Sequence, residues 1–417
     1  MVWVDLLYLL LLPLTLVSAG KYFFKRKYRR FLRERFFPKI DLQGEPGVWV
    51  HAVSVGEVRS LTGLLEWLSG HFPQPIILSV TTPAGYDYAR SACPGVQVIP
   101  APLDFSFIIR RFLNALRPRL MIFNELEIWP NWITGLERRH VPVAVVNGRI
   151  SDRAFCRYRC LAFLSRHFLR SIALFVVQSE LYRARFLALG VAAEKIRVCG
   201  NIKADEASQG AAGMMGTDEI RRWLKIEDVR RPLVVLASTH PRDEDLLLPA
   251  LAALRDRYFF ILVPRHVDRL DAIRKRARRL HLDFSVWSET DAVAGSSALL
   301  ILDCMGYLFP VMKAAAVVFM GGTRQRRIGG HNLFEPAVLG KPVVGGRWYN
   351  NFPDIGRELE AAGAYIRVNN REEFIVALKK LTAADLGWRS EAARRIVAGK
   401  RGALTCTLAE LQRLVEP

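Results

Sequence analysis

From residue 47 onward, short runs of β-branched and aliphatic residues alternate with longer stretches whose apolar positions recur every three or four residues. In the first half the runs are VWVHAV (48–53), PIILSV (75–80), VQVIP (96–100), RLMIFN (119–124), VPVAVVN (141–147), LFVVQS (174–179) and IRVCG (196–200). Near-continuous apolar strands separated by amphipathic helices are the pattern of a parallel sheet covered by helices. The rhythm breaks at 201–216, NIKADEASQGAAGMMG, where small and polar residues read as an interdomain linker. It restarts with PLVVLAS (232–238), YFFILVP (258–264), ALLILD (298–303), AAVVFMGG (315–322) and KPVVGG (341–346). The pattern predicts an α/β protein with two Rossmann-like domains, over 47–200 and 217–400, and a terminal helix at 401–417. Sheets of this kind bind ligands outside the carboxyl ends of their strands.

The front of the chain follows a different rule. Residues 1–20 are apolar with one charge, Asp5, and one proline, Pro13. The following stretch KYFFKRKYRRFLRERF (21–36) carries eight basic residues and one acid, Glu34. A secretory signal would place its positive charge before the apolar core, not after it. The run reads as an uncleaved membrane anchor, with 21–46 a basic juxtamembrane segment and the body on the cytoplasmic side. Asp5 and Pro13 leave a shallow interfacial helix as the alternative.

Composition narrows the class. The 417 residues, 51% hydrophobic, suffice for two cores. With 60 Lys+Arg against 40 Asp+Glu, the net charge of +20 implies an anionic partner. No nucleic-acid-binding motif accompanies the charge, and a lipid surface beside an apolar anchor explains it without nucleic acid. Six scattered cysteines with no C-x-x-C pair argue against a zinc ribbon or disulfide framework and fit a reducing compartment.

Candidate chemistry sits at strand ends. HAVSVGE ends a strand and puts Glu57 in a first helical turn, either as a dipole-favoured cap or as a base. IFNELEIWPNW places Glu125 and Glu127 between a strand and a helix starting near Pro130, a solvated surface or a carboxylate pair. GNIKAD contributes Lys203, STH contributes His240, and LVPRH brings Arg265 and His266 to a strand end. Arginine there suits a phosphate or carboxylate. In FMGGTRQRRIGGHNLFEP, two glycine pairs precede a helix expected to carry His331, Asn332 and Glu335, the layout of a phosphate-cradling helix start or of a flexible loop. No His/Cys cluster points to a metal.

Taken together and in order, HAVSVGE, ELEIWPN, GNIKAD, STH, LVPRH, DCMG and GGHNLFEP resemble the 3-deoxy-D-manno-octulosonic acid (Kdo) transferases of lipopolysaccharide synthesis. The resemblance covers nearly the whole chain. It implies a GT-B glycosyltransferase, two Rossmann-like domains facing across a cleft, with the acceptor on the N-terminal one and CMP-Kdo on the other. Glu57 matches the family's catalytic base, and Glu127 and Lys203 match positions assisting the transition state. Pro264, Arg265, Met305, Gly306, Tyr307, Asn332, Leu333, Phe334 and Glu335 match CMP-binding positions. The implied partners are CMP-Kdo, a lipid A precursor and the bacterial inner membrane, with no cofactor.

The chain also departs from the family pattern. Tyr307 stands where a glutamate is expected, Ala84 where a threonine is usual, and VVGGRWYNNF lacks a Gly-Pro. Such changes leave a related enzyme with another sugar-nucleotide donor or acceptor as the alternative. A non-catalytic tethered binding protein is the reading from a different class, opposed by the presence of Glu57, Glu127 and Lys203.

Overall fold

The computed structural model describes residues 4–6, 8, 26–37, 47–72, 75–227 and 229–415. The chain divides into two compact units, one of Met1–Glu206 with Gly402–Pro417 and the other of Ala207–Arg401.

The first unit holds a seven-stranded sheet: β1 (Val48–Ala52), β2 (Ile76–Val80), β3 (Gln97–Pro100), β4 (Leu120–Asn124), β5 (Val143–Gly148), β6 (Leu174–Val177) and β7 (Ile196–Val198). All pairings are parallel and the order is β3-β2-β1-β4-β5-β6-β7. The chain first winds outward from β1 and then returns to lay β4 on its other side. The switch point of this sheet therefore lies between β1 and β4. Every residue of β1, β2 and β4 is buried, which explains their unbroken apolar runs. On one face Trp49 stacks on Trp132 with centroids 4.6 Å apart. The other face packs under helix Val55–His71 through Val58, Leu61, Leu64, Leu65 and Leu68.

The second unit repeats the scheme with β8 (Leu233–Thr239), β9 (Phe259–Pro264), β10 (Phe284–Val286), β11 (Leu299–Ile301), β12 (Val317–Met320), β13 (Val343–Gly345) and β14 (Tyr365–Arg367). Its order is β10-β11-β9-β8-β12-β13-β14, again parallel, so the switch point lies between β8 and β12. Phe260, Phe319 and Phe374 belong to its core. The two strands that hydropathy did not predict, β10 and β14, are the sheet's edges. Each has three residues, only one of them buried, too little for a periodic signal.

Three expectations need correction. The stretch 201–216, read as a linker, is mostly helix Ile202–Ala212, and the division between units falls inside it. The terminal helix Ala403–Val415 belongs to the first unit, since Leu404, Leu408, Leu411 and Leu414 recur at helical spacing and join the core beneath Val55–His71. Its return pairs Cys199 with Cys406 in a disulfide across 207 residues, a partnership that local cysteine spacing could not show.

The anchor of residues 1–20 falls almost entirely outside the described residues, and no helix among the described residues is long and apolar enough to cross a membrane. At its described positions, Asp5 accepts hydrogen bonds from Ser106 N at 2.9 Å and Asn131 Nδ2 at 3.0 Å. The Tyr8 hydroxyl donates to Asp104 at 2.8 Å. These polar contacts hold the front of the chain to the first unit.

One carboxylate fixes the entry of the terminal helix: Asp205 accepts from Gly402 N at 2.8 Å and Leu404 N at 2.7 Å. Asp205→Ala leaves two helix-start amides without their partner. The first unit is expected to lose about 1–2 kcal/mol, measured by denaturant unfolding.

Candidate active site

At the switch point of the first sheet, the segments after β1, β4 and β5 and the first turn of helix Ile202–Ala212 bring five charged side chains together. Glu57 lies in the first turn of Val55–His71. Its Oε2 accepts from Val53 N at 3.0 Å, with Asn124 Nδ2 at 3.5 Å from the same oxygen. The carboxylate does cap its own helix entry, but it does so from within a carboxylate cluster.

Glu125 is the centre of that cluster. It adopts the left-handed conformation, φ 60°, in which a non-glycine residue is uncommon. This turn of the backbone gives its carboxylate to two cations, Arg149 Nε at 2.6 Å and Lys203 Nζ at 3.3 Å. Lys203 is placed by a polar chain. Asn147 Oδ1 accepts from Ile202 N at 3.3 Å, Asn201 Oδ1 from Lys203 N at 3.0 Å, and Gln178 Oε1 from Asn201 Nδ2 at 3.0 Å.

Protonation follows from this arrangement. Burial would raise the Glu125 carboxyl, but Lys203 and Arg149 outweigh it and hold the group below its ordinary range. Burial, with the Glu125 charge second, pushes Glu57 up to about 7. The same two causes push Glu127 up to about 7. A carboxylate poised near neutrality, beside a neighbour that two cations keep more acidic, suits general base chemistry. Of the sequence-derived set, Glu57, Glu127 and Lys203 thus meet in one place, but the ion-pair partner of Lys203 is Glu125. In the sequence Glu125 reads as one of two acids on a loop, a solvated surface or a carboxylate pair, and Arg149 belongs to none of the candidate motifs. Its position directly after β5 was the available signal.

The second unit gathers its candidates at the carboxyl edge of its own sheet. Pro264 ends β9, and Arg265 N donates to Thr239 O at 3.0 Å, which ties it to the end of β8. His240 is the N-cap of helix Pro241–Leu251. Asp243 Oδ2 accepts from His240 N at 3.0 Å and Gly322 N at 2.8 Å, joining that helix to the glycine turn after β12. A Cβ on Gly321 would stand 2.2 Å from Ser238 O, so only glycine lets the two strand ends approach. Gly329 and Gly330 both have positive φ, and Asn351 Nδ2 bridges Ile328 O and Gly330 O.

Here the structure modifies the expected helix. It starts only at Phe334 and runs five residues to Val338, so His331 and Asn332 precede it. Asn332 Oδ1 accepts from Phe334 N at 3.0 Å, filling one amide that a phosphate was expected to take. Leu333 and Phe334 are buried, and Glu335 is buried at the helix start. Met305 is 80% exposed and Gly306 has φ 91°. Tyr307 stacks on Trp223 at 4.2 Å, and Trp223 packs on Trp287 at 4.6 Å. An aromatic column therefore stands where a glutamate was expected.

A family model described as 3-deoxy-D-manno-octulosonic-acid transferase (kdotransferase) matches residues 30–206. A 3-deoxy-D-manno-octulosonic acid transferase of Haemophilus influenzae is 31% identical, covering 97% of this chain and 96% of that protein. A bifunctional glycosyltransferase/methyltransferase of Fusobacterium nucleatum is 33% identical over 86% of this chain, which spans only 56% of that longer protein. Among solved structures, a glycosyltransferase of Rickettsia africae aligns with a TM-score of 0.62 at 12% identity, covering 89% of this chain and 99% of that one. At that identity the likeness speaks for the fold alone.

The electrostatics give a direct test. Replacing the Glu125 charge, Glu125→Gln, removes the anion that opposes ionisation of Glu57 and Glu127. Both should then titrate lower, by about one pH unit, in carboxyl-resolved NMR. Unchanged midpoints would show that burial alone sets them.

Proposed function

The chain belongs to the Kdo transferase family of glycosyltransferases, and from that membership we propose that it transfers Kdo from CMP-Kdo to a lipid A precursor, with Glu57 as general base and inversion at the sugar carbon. The observation that carries the role of Glu57 is its half-buried carboxyl, raised to about 7 by desolvation and by the charge of Glu125, which Lys203 and Arg149 hold below its ordinary range.

In this reading the acceptor binds the first unit and the nucleotide the second. Glu57 takes the proton from an acceptor hydroxyl as that oxygen attacks the anomeric carbon of Kdo. Positive charge develops on the sugar and negative charge on the departing phosphate. Glu127, raised to about 7 by burial and Glu125, borders the reacting groups from the loop after β4. Lys203 and Arg149 balance the buried Glu125 charge and supply fixed positive potential. In the second unit Arg265 is placed to meet the phosphate. Pro264, the segment Met305–Tyr307 and Asn332–Glu335 contribute the remaining donor surface. Leu333 and Phe334 would offer backbone rather than side chains, because both side chains are buried. Tyr307, in the position of an expected glutamate, would offer an aromatic face backed by Trp223.

The acceptor is a phosphorylated glycolipid, which accounts for the apolar front of the chain, the eight basic residues of 21–36 and the net charge of +20. The proposed location is the bacterial inner membrane, on its cytoplasmic side. The alternative donor, another sugar nucleotide, is favoured by one observation only, the tyrosine at 307.

Three outcomes test this reading. Glu57→Gln should lower transfer from CMP-Kdo by about a thousandfold or more while CMP still binds, and near-normal turnover would remove Glu57 from the base role. Calorimetric titration should show CMP binding in preference to UDP; the reverse preference would replace the donor. Sedimentation with vesicles should show retention that needs anionic lipid and weakens with salt, and indifference to lipid charge would contradict the role of 21–36.

A further inference from the structure

His240 and His331 come from segments 91 residues apart, yet their Nε2 atoms lie 2.9 Å from each other. Their rings are nearly parallel, with 6° between planes and centroids 5.1 Å apart. His240 follows β8 and His331 lies in the glycine-rich loop that follows β12. The pair therefore occupies the switch point of the second sheet, where a parallel sheet receives its ligand. His266 stands edge-on to His240 at 6.0 Å.

The charged groups around the pair come from four elements. Arg265 and His266 follow β9, and Arg269 lies in the turn beyond them. Asp243 and Glu244 occupy the first turn of Pro241–Leu251, and Arg324 lies in the glycine turn. Both acids bond to groups other than the two imidazole rings. Asp243 Oδ2 holds two backbone amides, and Glu244 takes both terminal nitrogens of Arg269 at 2.8 Å. The field at the two rings is cationic. Burial first, then Arg265, pushes His331 down to about 3, and burial with His266 and Arg265 lowers His240.

A hydrogen bond between two Nε2 atoms fixes the proton inventory. One ring carries its proton on Nε2 and donates. The other is the opposite tautomer, with its proton on Nδ1, and accepts. A further proton can be taken at Nδ1 of the donating ring, which turns the neutral bond into a charge-assisted one. A second added proton would set two N–H groups head to head. The pair thus has room for one extra proton and not for two. An anion arriving beside Arg265 offsets the field that keeps that proton away.

We propose that the His240–His331 pair takes up one proton when the donor's phosphate binds, holds it as an imidazolium–imidazole pair against that phosphate, and gives it to the phosphate as the nucleotide departs. The inference rests on the donor reading above. The acceptor O–H bond breaks with its proton going to Glu57, and a bond forms from that oxygen to the anomeric carbon. The bond between that carbon and the phosphate oxygen breaks, leaving its electron pair on the oxygen. The proton held by the pair then passes to the phosphate.

The test uses the full chain and the methyl phosphodiester of CMP, which has no proton of its own to exchange near neutrality. Calorimetric titration at pH 7 in two buffers of different ionisation enthalpy reads the protons taken up. The wild type should take up about one proton per ester bound, and its affinity should fall by up to about tenfold per unit of rising pH. His331→Gln and His240→Asn should abolish the uptake and flatten that pH dependence, with thermal melting confirming that each variant is folded. Binding without uptake in the wild type, or uptake retained in both variants, overturns the inference and leaves the donor reading standing. Failure of the wild type to bind the ester overturns the donor reading and this inference with it.

Discussion

A buried negative charge must be paired, and in the first unit the way Glu125 is paired determines much else. Its left-handed backbone turns the carboxylate toward Arg149 and Lys203, and these two cations keep it ionised. Burial raises Glu57 and Glu127, and the Glu125 charge adds to it, so both rise to about 7. The need to hold Lys203 opposite Glu125 in turn explains the chain of Asn147, Gln178 and Asn201. It also gives sense to the returning terminal helix, which Asp205 caps two residues beyond Lys203. Acid strength at Glu57 is therefore a property of the packed unit rather than of its own turn.

The second unit solves the opposite problem with the same topology. At its switch point the local charge is positive, and burial with that charge lowers His240 and His331 from their ordinary range. A glycine with no room for a side chain, Gly321, lets the ends of β8 and β12 come close enough for His240 and His331 to share a proton. One sheet thus presents a group ready to accept a proton. The other presents cations suited to an anion. Removal of a hydroxyl proton and departure of a phosphate demand those two electrostatic environments, and each arises where its own chain reverses winding.

Much of this is legible in the amino-acid sequence. Twelve of the fourteen strands announce themselves as apolar runs because parallel strands are buried on both faces. The exceptions, β10 and β14, lie at the edges and bury one residue each. Glu57, Glu127 and Lys203 were readable as strand-end residues in family-like motifs. Their electrostatic partner was less so, since nothing local tells that Glu125 faces Arg149 and Lys203. The disulfide between Cys199 and Cys406 and the allegiance of the terminal helix were hidden for the same reason. Both depend on contacts made across about half the chain. The helix start was misplaced because the side chain of Asn332 satisfies the amide of Phe334, a competition that composition cannot reveal.

Addition of Kdo to a lipid is tested most directly by mass analysis of the lipid recovered after incubating the enzyme with CMP-Kdo and a tetraacylated lipid A precursor. The expected product is heavier than the precursor by Kdo units and forms in step with the release of CMP. An unmodified precursor in the presence of both substrates, with the folded enzyme verified, would contradict it.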